Sequence, residues 1–179
     1  MNQVLIGFGA NLGDPVVAFG SALGDLLMNR VLFSANPSSI FSTAPVGGPS
    51  HQPNYRNAVV AAKTPCGPRE LMVRLLEVER QYGRDREHEV RWGPRLLDLD
   101  LIAFGEVCCL VPGLELPHPR APDRPFVLGP AGTLPLNEIP KAIRDFVRSF
   151  PASWPKEQME QEISRVNECA FSWYMPFDA

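Results

Sequence analysis

The stretch Leu96-Leu97-Asp98-Leu99-Asp100-Leu101-Ile102-Ala103-Phe104 alternates apolar and acidic side chains and then becomes apolar. Successive side chains of a strand point to opposite faces, so Asp98 and Asp100 share one face about 7 Å apart, at ~3.3 Å per residue. The alternating leucines fill the opposite face. We therefore predict a strand over Leu96–Phe104 whose polar face carries two carboxylates.

Two carboxylates on one strand face repel each other unless a cation offsets their charge. Ligation by oxygen alone, without His or Cys, points to Mg²⁺, which takes one or two carboxylates together with phosphate oxygens. The alternative is a polar, solvated strand face, which is the better interpretation for an isolated Asp-x-Asp pair.

The loop before this strand is rich in arginine and contains Arg84, Arg86, Arg91 and Arg95. Arginines opposite cation-binding aspartates form a two-sided clamp on a polyphosphate. A solvated loop in which Glu87 and Glu89 pair with those arginines is the alternative. Trp92, followed by Gly93-Pro94, is either a core aromatic or the tip of a mobile lid.

Outward from this strand the chain predicts the order βαββαβ. Strands are expected over Val4–Phe8, Ser39–Thr43, Asn57–Thr64 and Phe126–Leu128. Helices are expected from Pro15, from Pro68 to Gly83, and over Pro140–Phe150. A turn at Gly105-Glu106 is expected to pair Val107–Val111 with the Leu96–Phe104 strand in a hairpin. This order predicts helices packed on one face of an antiparallel sheet, an α+β sandwich.

Length and composition fit one domain over residues 1–150 and an acidic extension over 151–179. The 179 residues contain 45% hydrophobic and 21% charged side chains, values near globular averages that exclude wholesale disorder. The whole net charge of −3 lies in the extension. The neutral remainder argues against a general nucleic-acid-binding protein.

Apolar residues at helical spacing predict a short helix in the extension, which docks on its own core or contacts a partner: Met159, Ile163, Val166 and Ala170.

The sequence argues against a membrane-spanning protein, a zinc site and a glycine-rich dinucleotide-binding loop. No stretch approaches the about 18 apolar residues of a membrane helix. The start Met1-Asn2-Gln3 has no basic region, so we expect a cytoplasmic protein. The four cysteines and three histidines show no metal-ligand spacing, which fits a reduced compartment. Leu12 breaks a G-x-G-x-x-G pattern, so a nucleotide must be held by side chains and a metal.

Two further groups of residues could recognise a ligand. The segments Thr43–Gly47 and Gln52–Asn57 offer a flat aromatic and an amide, which suit a planar heterocycle, although a surface-loop tyrosine is the simpler interpretation. The segments Leu116–Arg120 and Asp123–Phe126 offer an imidazole, two cations and an aromatic ring. A lone His-Pro turn would mean little.

Six motifs occur together, in this order: Gly7-x-Gly9-Ala10-Asn11-Leu12-Gly13-Asp14, Thr43-Ala44-Pro45-Val46-Gly47, Tyr55-x-Asn57-Ala58, Gly83-Arg84, Arg91-Trp92-Gly93-Pro94-Arg95-x-x-Asp98-Leu99-Asp100 and Pro117-His118-Pro119. Together they resemble 6-hydroxymethyl-7,8-dihydropterin pyrophosphokinase of folate biosynthesis. The resemblance covers roughly residues 4–140. The string from Arg91 to Asp100 is its most specific part.

The resemblance implies a ferredoxin-like fold and an enzyme that moves the terminal pyrophosphoryl group of ATP to the hydroxymethyl oxygen of the dihydropterin, releasing AMP. It implies two Mg²⁺ ions, bound by Asp98 and Asp100, and two small-molecule substrates. We expect a monomer without nucleic-acid or membrane partners. The residues offer no evident general base; Asp100 is the nearest candidate by type.

By the same resemblance, Arg84 and Arg95 neutralise charge on the phosphates, and Trp92 belongs with Arg86 to a catalytic lid. The lid loop is about one residue longer than in some relatives, so Arg86 and Arg91 could exchange roles. Positions that match ATP contacts are Glu79, Arg86, Arg91, Trp92, Arg95, His118 and Arg124. Positions that match pterin contacts are Thr43, Ala44, Pro45, Val46, Asn57, and the stacking pair Tyr55 and Phe126.

Two other functions compete with this one. A non-catalytic ferredoxin-like module, such as an RNA-binding or regulatory ligand domain, needs exposed aromatics and a basic face, whereas the strand over Leu96–Phe104 presents aspartates. A degenerate relative could bind ATP without turnover. The presence of Arg84, Arg95, Asp98 and Asp100 argues against it.

Overall fold

The computed structural model describes residues 1–85, 88, 90 and 92–150. Its strands are β1 (Asn2–Ala10), β2 (Phe33–Pro37), β3 (Phe41–Thr43), β4 (Tyr55–Thr64), β5 (Asp98–Phe104), β6 (Cys109–Val111) and β7 (Leu114–Leu116). Its helices are α1 (Pro15–Met28), α2 (Pro68–Gln81), α3 (Pro125–Ala131) and α4 (Lys141–Ser149), with 3₁₀ turns at Ala121–Asp123 and Leu136–Glu138. Within this part of the chain, no helix is long and apolar enough to cross a membrane.

The main sheet is antiparallel, in the order β2-β4-β1-β5, and β3 continues the edge beside β4. In the central strand β1, Gly9 lies opposite Asn57 on one side and Asp98 on the other. Gly7 lies opposite Asp100. The register therefore places two residues without side chains beside the two aspartates.

Both faces of this sheet are covered. Helices α1 and α2 pack on one face, in a core that includes Phe8, Phe19 and Leu99. Helices α3 and α4 pack on the other, around Leu5 and Ile102. The predicted antiparallel α+β sandwich is confirmed, but the prediction that helices cover one face holds only for α1 and α2. The Pro-rich segment after β7 returns the chain to the second face.

Helix starts follow the predicted proline signals. The Asp14 side chain accepts hydrogen bonds from the N–H groups of Val16 and Val17 at 3.1 and 3.2 Å, and Pro15 is the first residue of α1. Pro68 is likewise the first residue of α2, where Gly67 is the N-cap and no side chain caps the helix. A proline has no N–H to leave unpaired in the first helical turn, and its fixed φ suits the helix.

The predicted strand over Phe126–Leu128 is wrong, because these residues lie within α3. The Leu128 N–H donates to the carbonyl of Arg124 at 3.0 Å. A short apolar run has the same pattern in a buried strand and in a buried helix. Pro125, the first residue of α3, was the signal that favours the helix.

The predicted hairpin between Leu96–Phe104 and Val107–Val111 is also wrong. Strand β6 pairs with β7, where Cys109 lies opposite Leu116. Pro112 and Gly113 connect the two strands, and Gly113 has a φ of +79°, a conformation that glycine adopts without a steric penalty. Strand β2 was not predicted. The predicted helix within 151–179 lies outside the described residues.

Candidate active site

The floor of the candidate site is the polar face of β5. Asp98 and Asp100 point to the same side, with about a quarter and a third of their side chains exposed, while Leu99 between them is buried. A Cβ atom built on Gly7 would lie 3.7 Å from the Asp100 Cβ, and one on Gly9 would lie 3.8 Å from the Asp98 Cβ. The glycines of β1 thus leave space directly beside both carboxylates.

Three arginines contact this floor. The Arg84 guanidinium forms an ion pair with the Asp98 carboxylate, and Arg95 Nη1 lies 3.1 Å from Asp98 Oδ1. On the neighbouring carboxylate, Arg124 Nη1 lies 3.2 Å from Asp100 Oδ2. The predicted clustering of arginines around the two aspartates is therefore present in the folded chain for Arg84 and Arg95. Arg86 and Arg91 lie outside the described residues.

The two carboxylates differ electrostatically. Burial would raise the pKa of Asp98, but the positive charges of Arg95 and Arg84 outweigh it and hold the pKa below its ordinary value. Burial raises the pKa of Asp100, and the negative charge of Asp98 adds to the rise, against the opposing effect of His118 and Arg124. The neighbouring arginines therefore do not fully offset the negative charge at Asp100. A bound cation would stabilise the ionised pair.

His118 faces this second carboxylate. Burial lowers the pKa of His118, and Arg124 and Arg120 lower it further, while the charge of Asp100 acts in the opposite direction. The net lowering favours the neutral imidazole near pH 7. A neutral ring can accept as well as donate a hydrogen bond, so His118 can recognise a polar group without adding charge to the site.

The main cleft lies above this floor. Predicted residues that line it are Thr43, Ala44, Val46, Tyr55, Asn57, Trp92, Arg95, Asp98, Asp100, Arg124 and Phe126. Asn57 Nδ2 donates to Thr43 Oγ1 at 2.7 Å, which fixes the amide near the start of β4. The Arg124 guanidinium carbon lies 5.4 Å from the centre of the Phe126 ring. The cleft thus combines aromatic faces, a fixed amide and the carboxylate floor, whereas Pro45 is not among its lining residues.

The loop between β3 and β4 contacts the segment around Trp92. Gln52 Nε2 donates to the Trp92 carbonyl at 3.0 Å, and the Tyr55 hydroxyl donates to the Gly93 carbonyl at 2.8 Å. Gly48, with a φ of +79°, lies so close that an added Cβ would sit 2.2 Å from the Trp92 carbonyl oxygen. Only glycine fits this approach. Trp92 therefore closes one side of the main cleft against a loop that lines it.

A second cleft meets the first at Asp100. It is lined by Met72, Asp100, Leu101, Leu110, Val111, Gly113, Leu114, Glu115, His118 and Pro119. Of these, only Asp100 and His118 were predicted from the sequence as site residues. The apolar side chains of the β6–β7 hairpin were not predicted to line a site, because leucine and valine are ordinary residues in strands.

Glu79 lies in neither lining set, although it matches an ATP-contacting position in the resemblance. Its side chain, in the last turn of α2, is 0% exposed. It accepts a hydrogen bond from the Leu99 N–H at 2.8 Å and forms an ion pair with Arg84. The structure thus places Glu79 behind the site floor rather than in contact with the clefts.

The donor set fits Mg²⁺. Among the described residues, no group of three or more His, Cys, Asp and Glu side chains could hold a metal by itself. Asp98 and Asp100 instead supply two carboxylates from one strand face. Mg²⁺ commonly takes one or two protein carboxylates and completes its shell with water and substrate phosphates. The pair therefore suits a cation that arrives with a polyphosphate.

Known proteins of one family are similar to this chain in sequence. Residues 5–135 match the family model of 7,8-dihydro-6-hydroxymethylpterin-pyrophosphokinase (HPPK). The 2-amino-4-hydroxy-6-hydroxymethyldihydropteridine pyrophosphokinase of Helicobacter pylori is 35% identical over 136 residues, covering 72% of this chain and 78% of that protein. The protein of the same name from Mycobacterium bovis is 39% identical and covers 94% of this chain and 100% of its own length.

Solved structures support the fold. The structure titled "Crystal Structure Analysis of the HPPK-DHPS in complex with substrates" aligns with a TM-score of 0.60 at 12% identity, covering 91% of this chain and 45% of that one. A Plasmodium falciparum HPPK-DHPS structure aligns with a TM-score of 0.57 at 13% identity, covering 92% of this chain and 45% of that one. HPPK domains have a ferredoxin-like fold. The chain belongs to the 7,8-dihydro-6-hydroxymethylpterin-pyrophosphokinase family.

Proposed function

We propose that the chain is an Mg²⁺-dependent enzyme that binds the pterin in the main cleft and the nucleoside of ATP in the second cleft. As a member of its family, it transfers the pyrophosphoryl group of ATP to 6-hydroxymethyl-7,8-dihydropterin in folate biosynthesis. The observation that carries the proposal is the Asp98–Asp100 pair, which lies on the floor of the main cleft and reaches the second cleft through Asp100.

The reaction is a displacement at the β-phosphorus of ATP. The hydroxymethyl oxygen forms a bond to this phosphorus, and the bond from the phosphorus to the oxygen that bridges to the α-phosphate breaks. AMP leaves with the bridging oxygen, the pterin diphosphate forms, and the hydroxyl proton passes to solvent water. Positioning and electrostatic stabilisation dominate catalysis of such transfers, so no covalent enzyme intermediate is needed.

The main cleft offers what a pterin needs. A flat, polar heterocycle binds between aromatic faces, and Tyr55 and Phe126 line the cleft. The edge of the ring would be read by Asn57, whose amide is already oriented by Thr43, and by the backbone of Thr43–Val46. The hydroxymethyl group would then point toward the aspartates of β5.

The second cleft offers what a nucleoside needs. The apolar hairpin residues Leu110 and Val111 form one wall, and His118 supplies a polar contact. A base seated there directs its phosphates toward Asp100, which belongs to both clefts. We infer that Arg124 and His118 serve ATP from this side, while Glu79 acts through other residues.

Asp98 and Asp100 would hold two Mg²⁺ ions together with the triphosphate oxygens. When bound, the ions neutralise phosphate charge and polarise the reacting phosphoryl group. Arg95, which lines the main cleft beside Asp98, would stabilise the charge that moves onto the leaving phosphate. Arg84 lines neither cleft and would act from behind Asp98, with which it forms an ion pair. Trp92 closes the cleft against water from the side of Gly48.

We further propose a monomeric, cytoplasmic enzyme. The monomeric state rests on the sequence expectation. The cytoplasmic location rests on the sequence expectation alone.

Analysis of the nucleotide product tests the proposed function. The purified chain is incubated with Mg-ATP, with and without 6-hydroxymethyl-7,8-dihydropterin, and the nucleotides are separated by chromatography. We expect AMP that forms only when the pterin is present. ADP would indicate an ordinary kinase. Absence of turnover by a folded protein would favour a non-catalytic ligand-binding module.

A further inference from the structure

Glu79 is a carboxylate without access to solvent. Its side chain is 0% exposed, and it is the one acidic residue in the described part of the chain that is buried as a whole. A buried charge is costly unless it is paired and hydrogen-bonded. The contacts of Glu79 therefore indicate why the chain retains a charge at this position.

One contact reaches the backbone between the two aspartates. Glu79 Oε1 accepts the N–H of Leu99 at 2.8 Å. Strand β5 is an edge strand, so N–H groups that face away from β1 have no strand partner within the described sheet. The helix residue thus supplies the acceptor that a further strand would otherwise provide, and it fixes the peptide that joins Asp98 to Leu99.

The other contact holds an arginine of the site. The same oxygen, Glu79 Oε1, pairs with Arg84 Nη1, and the backbone carbonyl of Glu79 accepts the Arg84 N–H at 3.1 Å. Arg84, with 8% of its side chain exposed, also pairs with Asp98. Arg84 is therefore shared between a carboxylate that stays buried and one that faces the cleft.

We propose that Glu79 is a positioning residue that retains Arg84 at the site floor and thereby leaves Asp98 available to bind a divalent cation. The inference rests on the proposed function, since it takes Asp98 as a metal ligand. Without the charge of Glu79, Arg84 keeps Asp98 as its acidic partner and competes with the cation for that carboxylate. The floor also gains one net positive charge, which repels a cation and attracts the triphosphate.

Two variants separate the charge of Glu79 from its shape. Glu79→Gln keeps an oxygen that can accept the Leu99 N–H but removes the charge. Glu79→Asp keeps the charge but shortens the side chain by one methylene. Glu77→Gln is the control, because Glu77 lies on the same helix and pairs with Arg74 at the surface at 3.1 Å.

The measurement is Mn²⁺ binding to the full chain in the presence of α,β-methylene-ATP, followed by the loss of the electron paramagnetic resonance signal of free Mn²⁺. We expect Glu79→Gln to weaken Mn²⁺ binding by roughly tenfold or more, as for other groups that orient a metal ligand. Glu79→Asp and Glu77→Gln should stay within about threefold of the native chain, a difference small beside that effect. The KM for ATP should not rise in Glu79→Gln.

A double variant provides the rescue. Glu79→Gln with Arg84→Gln removes the competing guanidinium together with its partner, so Mn²⁺ binding should return to the native range while turnover stays low. An unchanged Mn²⁺ affinity with a raised KM for ATP would show direct contact with the nucleotide and overturn the proposal. A lowered melting temperature with native Mn²⁺ affinity would show a merely structural role. If Glu79→Gln does not fold, loss of Mn²⁺ binding in a folded Glu79→Asp chain would likewise count against the role of charge.

These results are independent of the reaction itself. A native chain that forms no pterin-dependent AMP but binds Mn²⁺ and shows the rescue would contradict the proposed function only. A native chain that forms AMP but shows no effect of Glu79→Gln on Mn²⁺ would contradict the role of Glu79 only.

Discussion

Asn11 and Arg95 are joined by two reciprocal hydrogen bonds. The Asn11 N–H donates to the Arg95 carbonyl at 3.0 Å, and the Arg95 N–H donates to Asn11 Oδ1 at 2.8 Å. Asn11 Nδ2 also donates to the Pro53 carbonyl at 3.1 Å. The loop after β1 thus fixes the main chain of Arg95, leaving its guanidinium to reach Asp98.

Because its main chain is held by Asn11, Arg95 can lose its side chain without moving the loop. We expect Arg95→Ala to lower kcat by at least ~10²-fold, as for loss of transition-state electrostatics, with a native circular dichroism spectrum. Arg148→Ala is the control, since Arg148 pairs with Asp145 at the surface of α4. Turnover of Arg95→Ala near the native rate would contradict its assigned role.

Tyr55 has two separable contributions. Its ring lines the main cleft, and its hydroxyl donates to the Gly93 carbonyl at 2.8 Å. Tyr55→Phe keeps the ring and loses one hydrogen bond, worth about 1 kcal/mol. Tyr55→Ala loses both, and we expect it to raise the KM for the pterin about tenfold relative to Tyr55→Phe. Equal KM values for the two variants, measured at saturating ATP, would argue against stacking.

The approach of Gly48 to Trp92 predicts a local effect of one methyl group. A Cβ at Gly48 would lie 2.2 Å from the Trp92 carbonyl oxygen, so either loop must shift. We expect Gly48→Ala to lower kcat/KM by at least ~10-fold, because small displacements of catalytic groups are costly.

Gly24 provides the matched glycine control. It lies inside α1, and apart from its chain neighbours and the backbone of its own helix no atom lies within 4 Å of an added Cβ. Gly24→Ala should leave kcat/KM unchanged and raise the free energy of unfolding by about 0.5–1 kcal/mol, through helix propensity. If both variants kept native kcat/KM, the contact between Gly48 and Trp92 would have no role in turnover.

Tyr82 makes stability depend on alkaline pH. Burial, with the hydrogen bond to Asp25 at 3.0 Å, raises the pKa of Tyr82 to about 12. The fold therefore favours the neutral phenol. The contribution of this phenol to the free energy of unfolding is fully present below the pKa of an unfolded tyrosine, about 10. It is lost as pH rises from about 10 to 12. Absorbance at 295 nm should show a late-titrating phenol that disappears in Tyr82→Phe. If the absorbance of Tyr82→Phe and of the native chain rose equally at the highest pH values, the late-titrating phenol would not be Tyr82.

The sequence predicted those parts of the site that obey a short-range rule. Alternation along β5 placed Asp98 and Asp100 on one face, and Pro15 and Pro68 marked the helix starts, because both rules concern neighbours in the chain. The α+β class followed from these elements, and the ferredoxin-like fold followed from the resemblance. Such local signals are sufficient for the floor of the main cleft.

The remaining features depend on contacts between distant segments. Nothing local shows that Glu79 lies beneath Leu99, 20 residues later, or that Gln52 contacts Trp92, 40 residues later. The wrong strand at Phe126–Leu128 has the same origin, since an apolar run takes its conformation from the face against which it packs. The wall of the second cleft went unrecognised because apolar hairpin residues carry no chemical signature.

The central claim is that the aspartate pair of β5 holds the cation on which the reaction depends. It is tested most directly by pterin-dependent AMP release, measured as a function of Mg²⁺ concentration for the native chain, Asp98→Ala and Asp100→Ala. Asp145→Asn, a change at an acidic residue on the surface of α4 with 89% of its side chain exposed, is the control. We expect the native chain and the control to require Mg²⁺ and to turn over equally, and each β5 variant to lose at least ~10²-fold in rate while remaining folded. A near-native rate in either β5 variant, or native AMP release after complete removal of divalent cations, would contradict the claim.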